Sequence, residues 1–146
     1  MRNEERFNLV APCGIDCATC ELYMCQENKK LYDYLISKGF SSDKIPCPGC
    51  REVAGHCPVL GAECATYLCA RNKGVDFCYE CNEFPCSKLN PAVDRAEILP
   101  HNMKVFNLAT IQNLGLEEFV KISLDIKHKY YKGKMKIGEG PMLDKQ

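Results

Sequence analysis

Cys13-Gly-Ile-Asp-Cys17-Ala-Thr-Cys20-Glu-Leu-Tyr-Met-Cys25 packs four thiols into one short stretch, and what those thiols do decides what holds this chain together. Further along they continue as Cys47-x2-Cys50, Cys57, Cys64-x4-Cys69 and Cys78-x2-Cys81-x4-Cys86, making twelve cysteines in 146 residues. Three of the spacings are C-x2-C. That spacing lets two sulfurs converge on one ion through a tight turn, and tetrahedral zinc takes four such donors at about 2.3 Å. The spacing Cys17-x2-Cys20-x4-Cys25 returns as Cys78-x2-Cys81-x4-Cys86, an echo of local geometry without matching flanks.

Disulfides belong to oxidising compartments. The opening Met1-Arg-Asn-Glu-Glu-Arg-Phe7 has no apolar signal-peptide core. The expectation is therefore a cytoplasmic protein with reduced thiols that bind metal. Three tetrathiolate sites would use every cysteine. Cys13, Cys17 and Cys20 seed one, Cys47 and Cys50 a second, and Cys78, Cys81 and Cys86 a third. Cys25, Cys57, Cys64 and Cys69 remain to complete them, in an order that spacing leaves open. Two or three zinc ions per chain are expected. An iron–sulfur cluster is the competing metal centre, because thiolates hold those too, although the C-x2-C-x2-C run of a bacterial ferredoxin is absent.

Each cluster has a plainer reading. Cys13, Cys17 and Cys20 would share one face of a helix if their segment were helical, and free cysteine packs as a small apolar residue. Cys25, next to Leu22-Tyr-Met, suits that reading best and is the least certain ligand. His56, beside Cys57, is an alternate ligand. Cys47-Pro-Gly-Cys50 has the form of a redox pair, but that role needs a strand before it and a helix after it. Here loop-forming Ser41-Ser-Asp-Lys-Ile-Pro46 precedes it and a segment broken by Gly55 and Pro58 follows, so a metal-binding knuckle is preferred.

Composition bounds the rest. Hydrophobic residues are 46% and charged residues 26%, a globular balance. Nineteen basic residues offset nineteen acidic ones, and tetrathiolate zinc would add negative charge, so generic nucleic-acid binding is not expected. The basic tail Lys127-His-Lys-Tyr-Tyr-Lys-Gly-Lys-Met-Lys136 reads as a helix end and a solvated tail before it reads as a strand-gripping element. No apolar run is long enough for a membrane span.

The chain reads as one domain, 1–146, with a cysteine-rich metal-binding part at 11–90, a helical part at 91–132 and a flexible tail at 133–146. Helices are predicted at Gln26–Lys38, with Leu31, Tyr34 and Leu35 as its stripe, and at Cys64–Asn72. Three more follow at Ala92–Leu99, Asn102–Asn113 and Leu116–Tyr130. Val105, Phe106, Ala109 and Ile111 or Leu114 mark the apolar face of the second of these. Phe119, Ile122 or Ser123, Ile126 and Tyr130 mark that of the third. The fold class is a small, metal-stapled, mainly α protein with irregular cysteine-rich loops, its C-terminal helices packed on a multi-zinc N-terminal part.

Cys13-Gly-Ile-Asp-Cys17-Ala-Thr-Cys20, Cys47-Pro-Gly-Cys50, and the run from Cys69 through Lys73-Gly-Val to Cys78-Tyr-Glu-Cys81-Asn-Glu-Phe-Pro-Cys86-Ser-Lys-Leu89 carry a resemblance. Over Ala11 to Leu89 the chain resembles a cysteine-rich prokaryotic family, domain of unknown function 3795, whose members look like zinc binders without an assigned role. The resemblance implies that Cys13, Cys17, Cys20, Cys47, Cys50, Cys57, Cys64, Cys69, Cys78, Cys81 and Cys86 are family cysteines and that Cys25 is an addition. Eleven thiols do not divide into fours, which implies two zincs, or a third completed by another ligand. The function expected is that of a zinc-binding structural or protein-interaction module without catalysis of its own. Alternatives are an iron–sulfur or thiol redox protein, and an enzyme with an open zinc position.

Overall fold

The computed structural model describes residues 3–89, 103–138 and 140–143. Among these, the architecture is mainly helical, and irregular segments carry most of the cysteines. Helix α1, Glu4–Leu9, opens where the Asn3 side chain accepts from the Arg6 amide, with Glu4 and Glu5 at its positive end. The chain then turns back on itself, pairing Val10 with Asp16 in an isolated antiparallel bridge. Short α2, Glu21–Met24, leads to α3, Lys29–Ser37, which the Asn28 side chain caps through the Leu31 amide. Helix α4, Ala65–Lys73, starts at Cys64 and stops at Gly74, whose φ of 68° is the left-handed conformation that glycine adopts without strain.

Helices α5, Met103–Leu114, and α6, Leu116–Lys132, pack against each other across Gly115, at φ 87°. In the stretch read above as a flexible tail, β1, Lys134–Lys136, pairs antiparallel with β2, Gly140–Met142. Gly133 ends α6, and Gly138, at φ 81°, lies in the turn between the strands. The helix expected at Ala92–Leu99 lies outside the described residues.

Two apolar clusters organise the molecule. Phe7, Val10, Phe77 and Leu89 from the cysteine-rich part join Leu108, Ile111 and Phe119 from α5 and α6. A smaller cluster gathers Leu22, Cys25, Leu35, Ile45 and Cys47. The buried face of α5 is rotated from the one predicted by hydrophobicity, whereas the stripe predicted for α6 is the buried one at Phe119, Ser123 and Tyr130. The α5 face is Met103, Asn107, Leu108 and Ile111, while Phe106 and Leu114 are exposed. Of the two alternatives in α6, Ser123 is buried and Ile122 is exposed, and in α3 Tyr34 faces solvent while Leu35 is buried. Polar side chains explain the rotation of α5 and the choice of Ser123 over Ile122 in α6. Asn107 Nδ2 donates to the Gly14 carbonyl at 3.0 Å, and Ser123 Oγ donates to Asp16 Oδ2 at 2.5 Å. Both are specific bonds to the first cysteine loop, and a helix satisfies them only by turning that face inward.

Arg51 ties the cysteine segments together. Its Nε donates to the carbonyls of Phe7 and Val10 at 3.1 and 2.8 Å, and a terminal nitrogen donates to the Asp76 carbonyl at 2.7 Å. Its guanidinium also lies 4.0 Å from the Phe7 ring centroid and 5.2 Å from that of Phe77. The two rings meet edge to face, with centroids 5.8 Å apart.

Candidate metal centres

The thiols separate into two groups. Cys69, Cys78, Cys81 and Cys86 line a small cavity of about 60 Å³. Cys13, Cys17, Cys20, Cys47, Cys50, Cys57 and Cys64 line a larger one of about 690 Å³. Cys25 lines neither. It is 3% exposed within the Leu22, Leu35 and Ile45 cluster, and its thiol donates to the Leu22 carbonyl at 3.3 Å. The first two groups expected from spacing thus merge around one cavity. Cys69 is the thiol that joins Cys78, Cys81 and Cys86.

Local structure explains the small group. The Cys78–Glu80 turn is closed by the Cys81 amide donating to the Cys78 carbonyl at 3.1 Å, and Glu80 accepts from the Asp76 amide at 2.9 Å. The Glu83 amide then donates to Cys81 Sγ at 3.4 Å, and Lys73 Nζ lies 3.5 Å from the same sulfur while also pairing with Glu83. Helix α4 brings Cys69 to this wall and carries Cys64, at its start, to the other cavity.

In the large group, Cys13, Cys17 and Cys20 do not share an α-helical face. Cys17–Thr19 is a single tight 3-10 turn, capped by Asp16 through the Ala18 amide at 3.0 Å. The Cys47-Pro-Gly-Cys50 segment turns at Gly49, φ 119°, and the Cys50 amide donates to Cys17 Sγ at 3.4 Å. Neither strand nor helix flanks this pair as a thioredoxin-like motif requires. Amide donors aimed at Cys17 and Cys81 suit sulfurs that carry negative charge.

Burial dominates the electrostatics. It pushes the Cys20 thiol up to about 11 and Cys78 up to about 12, and it raises Cys13 and Cys47. Cys17 moves the other way because the Cys50 thiol donates to it, and Cys50 rises in consequence. Three residues near these thiols escape detection by cysteine spacing. Asp16, buried and raised by desolvation, holds the Ser123 hydroxyl. Lys127, assigned above to a basic tail, instead lines the large cavity, bonding the Thr19 carbonyl and Glu21. Lys104 lines the cavity near Cys13. His56 is engaged elsewhere, with Nδ1 at 3.0 Å from the Val53 carbonyl and Nε2 at 3.0 Å from Glu63.

Among the described residues, no three or more His, Cys, Asp or Glu side chains are drawn together as a formed coordination sphere. Fit to a metal therefore rests on the donor set and the cavity. Four soft sulfurs around about 60 Å³ suit a single tetrahedral ion.

The model of one protein family, described as Protein of unknown function (DUF3795), matches residues 9–91. The chain belongs to this family. The match takes in the eleven cavity-lining thiols of this DUF3795 protein, and Cys25 as well. No curated protein and no solved structure matches the chain. No helix among the described residues is long and apolar enough to cross a membrane.

Proposed function

We propose that this DUF3795 protein is a zinc-binding structural or protein-interaction module, in which metal does the work that a continuous apolar core does elsewhere. One observation carries the reading: eleven thiols divide without remainder between two cavities, and the twelfth packs in a core. The apolar clusters are small, and the segments from Cys47 to Cys64 are turns rather than long helices. Such segments gain little from burial. A structural zinc contributes roughly 10–16 kcal/mol in small peptides, enough to order them. Cys69, Cys78, Cys81 and Cys86 would hold one ion, and the seven thiols of the larger cavity would hold the rest. The bound metal supplies cross-links and no reaction step.

The size of the larger cavity favours one competing reading, an iron–sulfur cluster held by the same cysteines. Elemental analysis of protein purified without air, together with its visible spectrum, tests both. Two or three zincs per chain in colourless protein is the expected result. Stoichiometric iron with broad visible absorption would replace zinc by a cluster. Intact disulfides without metal would refute both.

A further inference from the structure

Cys81 is the sulfur of the small cavity that, among the described residues, receives hydrogen bonds from nitrogen. The Glu83 amide reaches it at 3.4 Å and the Lys73 ammonium at 3.5 Å. The chain delivers Lys73 there by helical geometry. Cys69 and Lys73 are four residues apart on α4, so they share a face, and both line the cavity. Gly74 stops the helix immediately afterwards. Glu83 closes the arrangement from the other side, since its carboxylate pairs with the Lys73 ammonium while its amide donates to Cys81. The three residues form a ring of contacts in which a carboxylate holds a cation beside a sulfur. The Lys73 and Glu83 side chains are 37% and 68% exposed, and an ion pair so open to solvent contributes little to folding by itself. A cation against sulfur matters when that sulfur is a thiolate, because the bond is then charge-assisted. Four thiolates on one divalent ion leave surplus negative charge on the sulfurs. Lys88 lines the same cavity without such a contact among the described residues.

We propose that Lys73 is a positioning residue of the small metal centre: its ammonium, aimed by Glu83, donates to the metal-bound sulfur of Cys81 and holds that sulfur on the ion. Outer partners of this kind orient a ligand and tune its charge. Without the ammonium, the surplus charge on Cys81 is balanced by one amide alone, and the sulfur leaves the ion more readily. The inference rests on the zinc reading above and adds a dedicated cation to it.

Zinc retention by the full chain is measured by competition with a chromophoric chelator. Lys73→Met should weaken the hold on one ion by about 10–100-fold, the loss typical when a ligand's hydrogen-bond partner is removed. Lys73→Arg keeps a cationic donor and should recover most of that loss. Lys88→Met removes the same charge from the same wall and should leave retention at the wild-type level. Cobalt(II) in place of zinc adds a readout that lost packing would not move. A hydrogen bond lowers the energy of the sulfur lone pairs, so Lys73→Met should shift the sulfur-to-cobalt charge-transfer absorption to lower energy, and Lys73→Arg should return it. Wild-type retention in Lys73→Met overturns the role of Lys73 and leaves zinc binding standing. So does a loss without a band shift, or one that Lys88→Met matches, because neither requires a bond to the sulfur. A wild-type chain that takes up neither zinc nor cobalt overturns the zinc reading and this inference together.

Discussion

Cys25→Ala and Cys81→Ser separate a packing thiol from a ligand. Cys25 lies 3% exposed among Leu22, Leu35 and Ile45. Removing its sulfur forfeits about one methylene equivalent of burial, ~0.8 kcal/mol. The vacated space, roughly 20 Å³ at about 24 cal/mol per Å³, adds ~0.5 kcal/mol. The lost S–H bond adds little, because the Leu22 carbonyl keeps the Cys47 amide at 2.8 Å. The sum is about 1–1.5 kcal/mol, a fall in Tm of roughly 2–6 °C for a chain of this size, with metal content unchanged. Cys81 loses more. Its sulfur faces the small cavity with three others and receives the Glu83 amide at 3.4 Å. Serine there leaves three thiolates, so the ion loosens or leaves, at a cost of several kcal/mol out of the roughly 10–16 kcal/mol that a structural zinc contributes. Zinc content and thermal denaturation of both variants decide the matter. Equal damage, with Cys25→Ala losing an ion, would refute the division of thiols between cavities and core.

Other outcomes follow from the same geometry. Gly14, at φ 87°, has the Leu108 Cγ 3.0 Å and the Lys104 carbonyl oxygen 3.2 Å from where a Cβ would sit; Gly14→Ala should cost about 2–5 kcal/mol through backbone strain and crowding, read by denaturant unfolding. Arg51→Lys keeps the charge but cannot span Phe7, Val10 and Asp76 at once; a loss of about 2–4 kcal/mol is expected, and wild-type stability would show that the fork does not tie these segments. Zinc must displace thiol protons, so its affinity should rise with pH and fall in acid, measured by competition with a chromophoric chelator. Metal-free protein should respond oppositely. Cys20 and Cys78 sit at about 11 and about 12 when folded against an ordinary 9.0, so the folded state binds more protons and stability declines from about pH 9 upward, with Cys17 partly offsetting the trend.

The sequence by itself placed the cysteine pairs and the helices α3, α4, α5 and α6, though not α1 or α2. C-x2-C spacing paired Cys17 with Cys20, Cys47 with Cys50 and Cys78 with Cys81, and each pair lines one cavity, because residues three apart share a single tight turn. Gly74 and Gly115 bounded the helices, because a left-handed stop is local. Cys25 was already set apart by its apolar neighbours. Only the tertiary structure decided the grouping. Cys69 joins Cys78 because α4 turns its two cysteines toward different cavities. Cys47 and Cys50 meet Cys17 because Arg51 and the Cys50 amide pin that loop to the N-terminal segment. Asp16 and Asn107 escaped hydrophobic patterning, and Ser123 was left level with Ile122, for one physical reason. A polar side chain is buried when a distant partner satisfies it, as Asp16 and Gly14 do for Ser123 and Asn107, and a partner about a hundred residues away leaves no periodic trace.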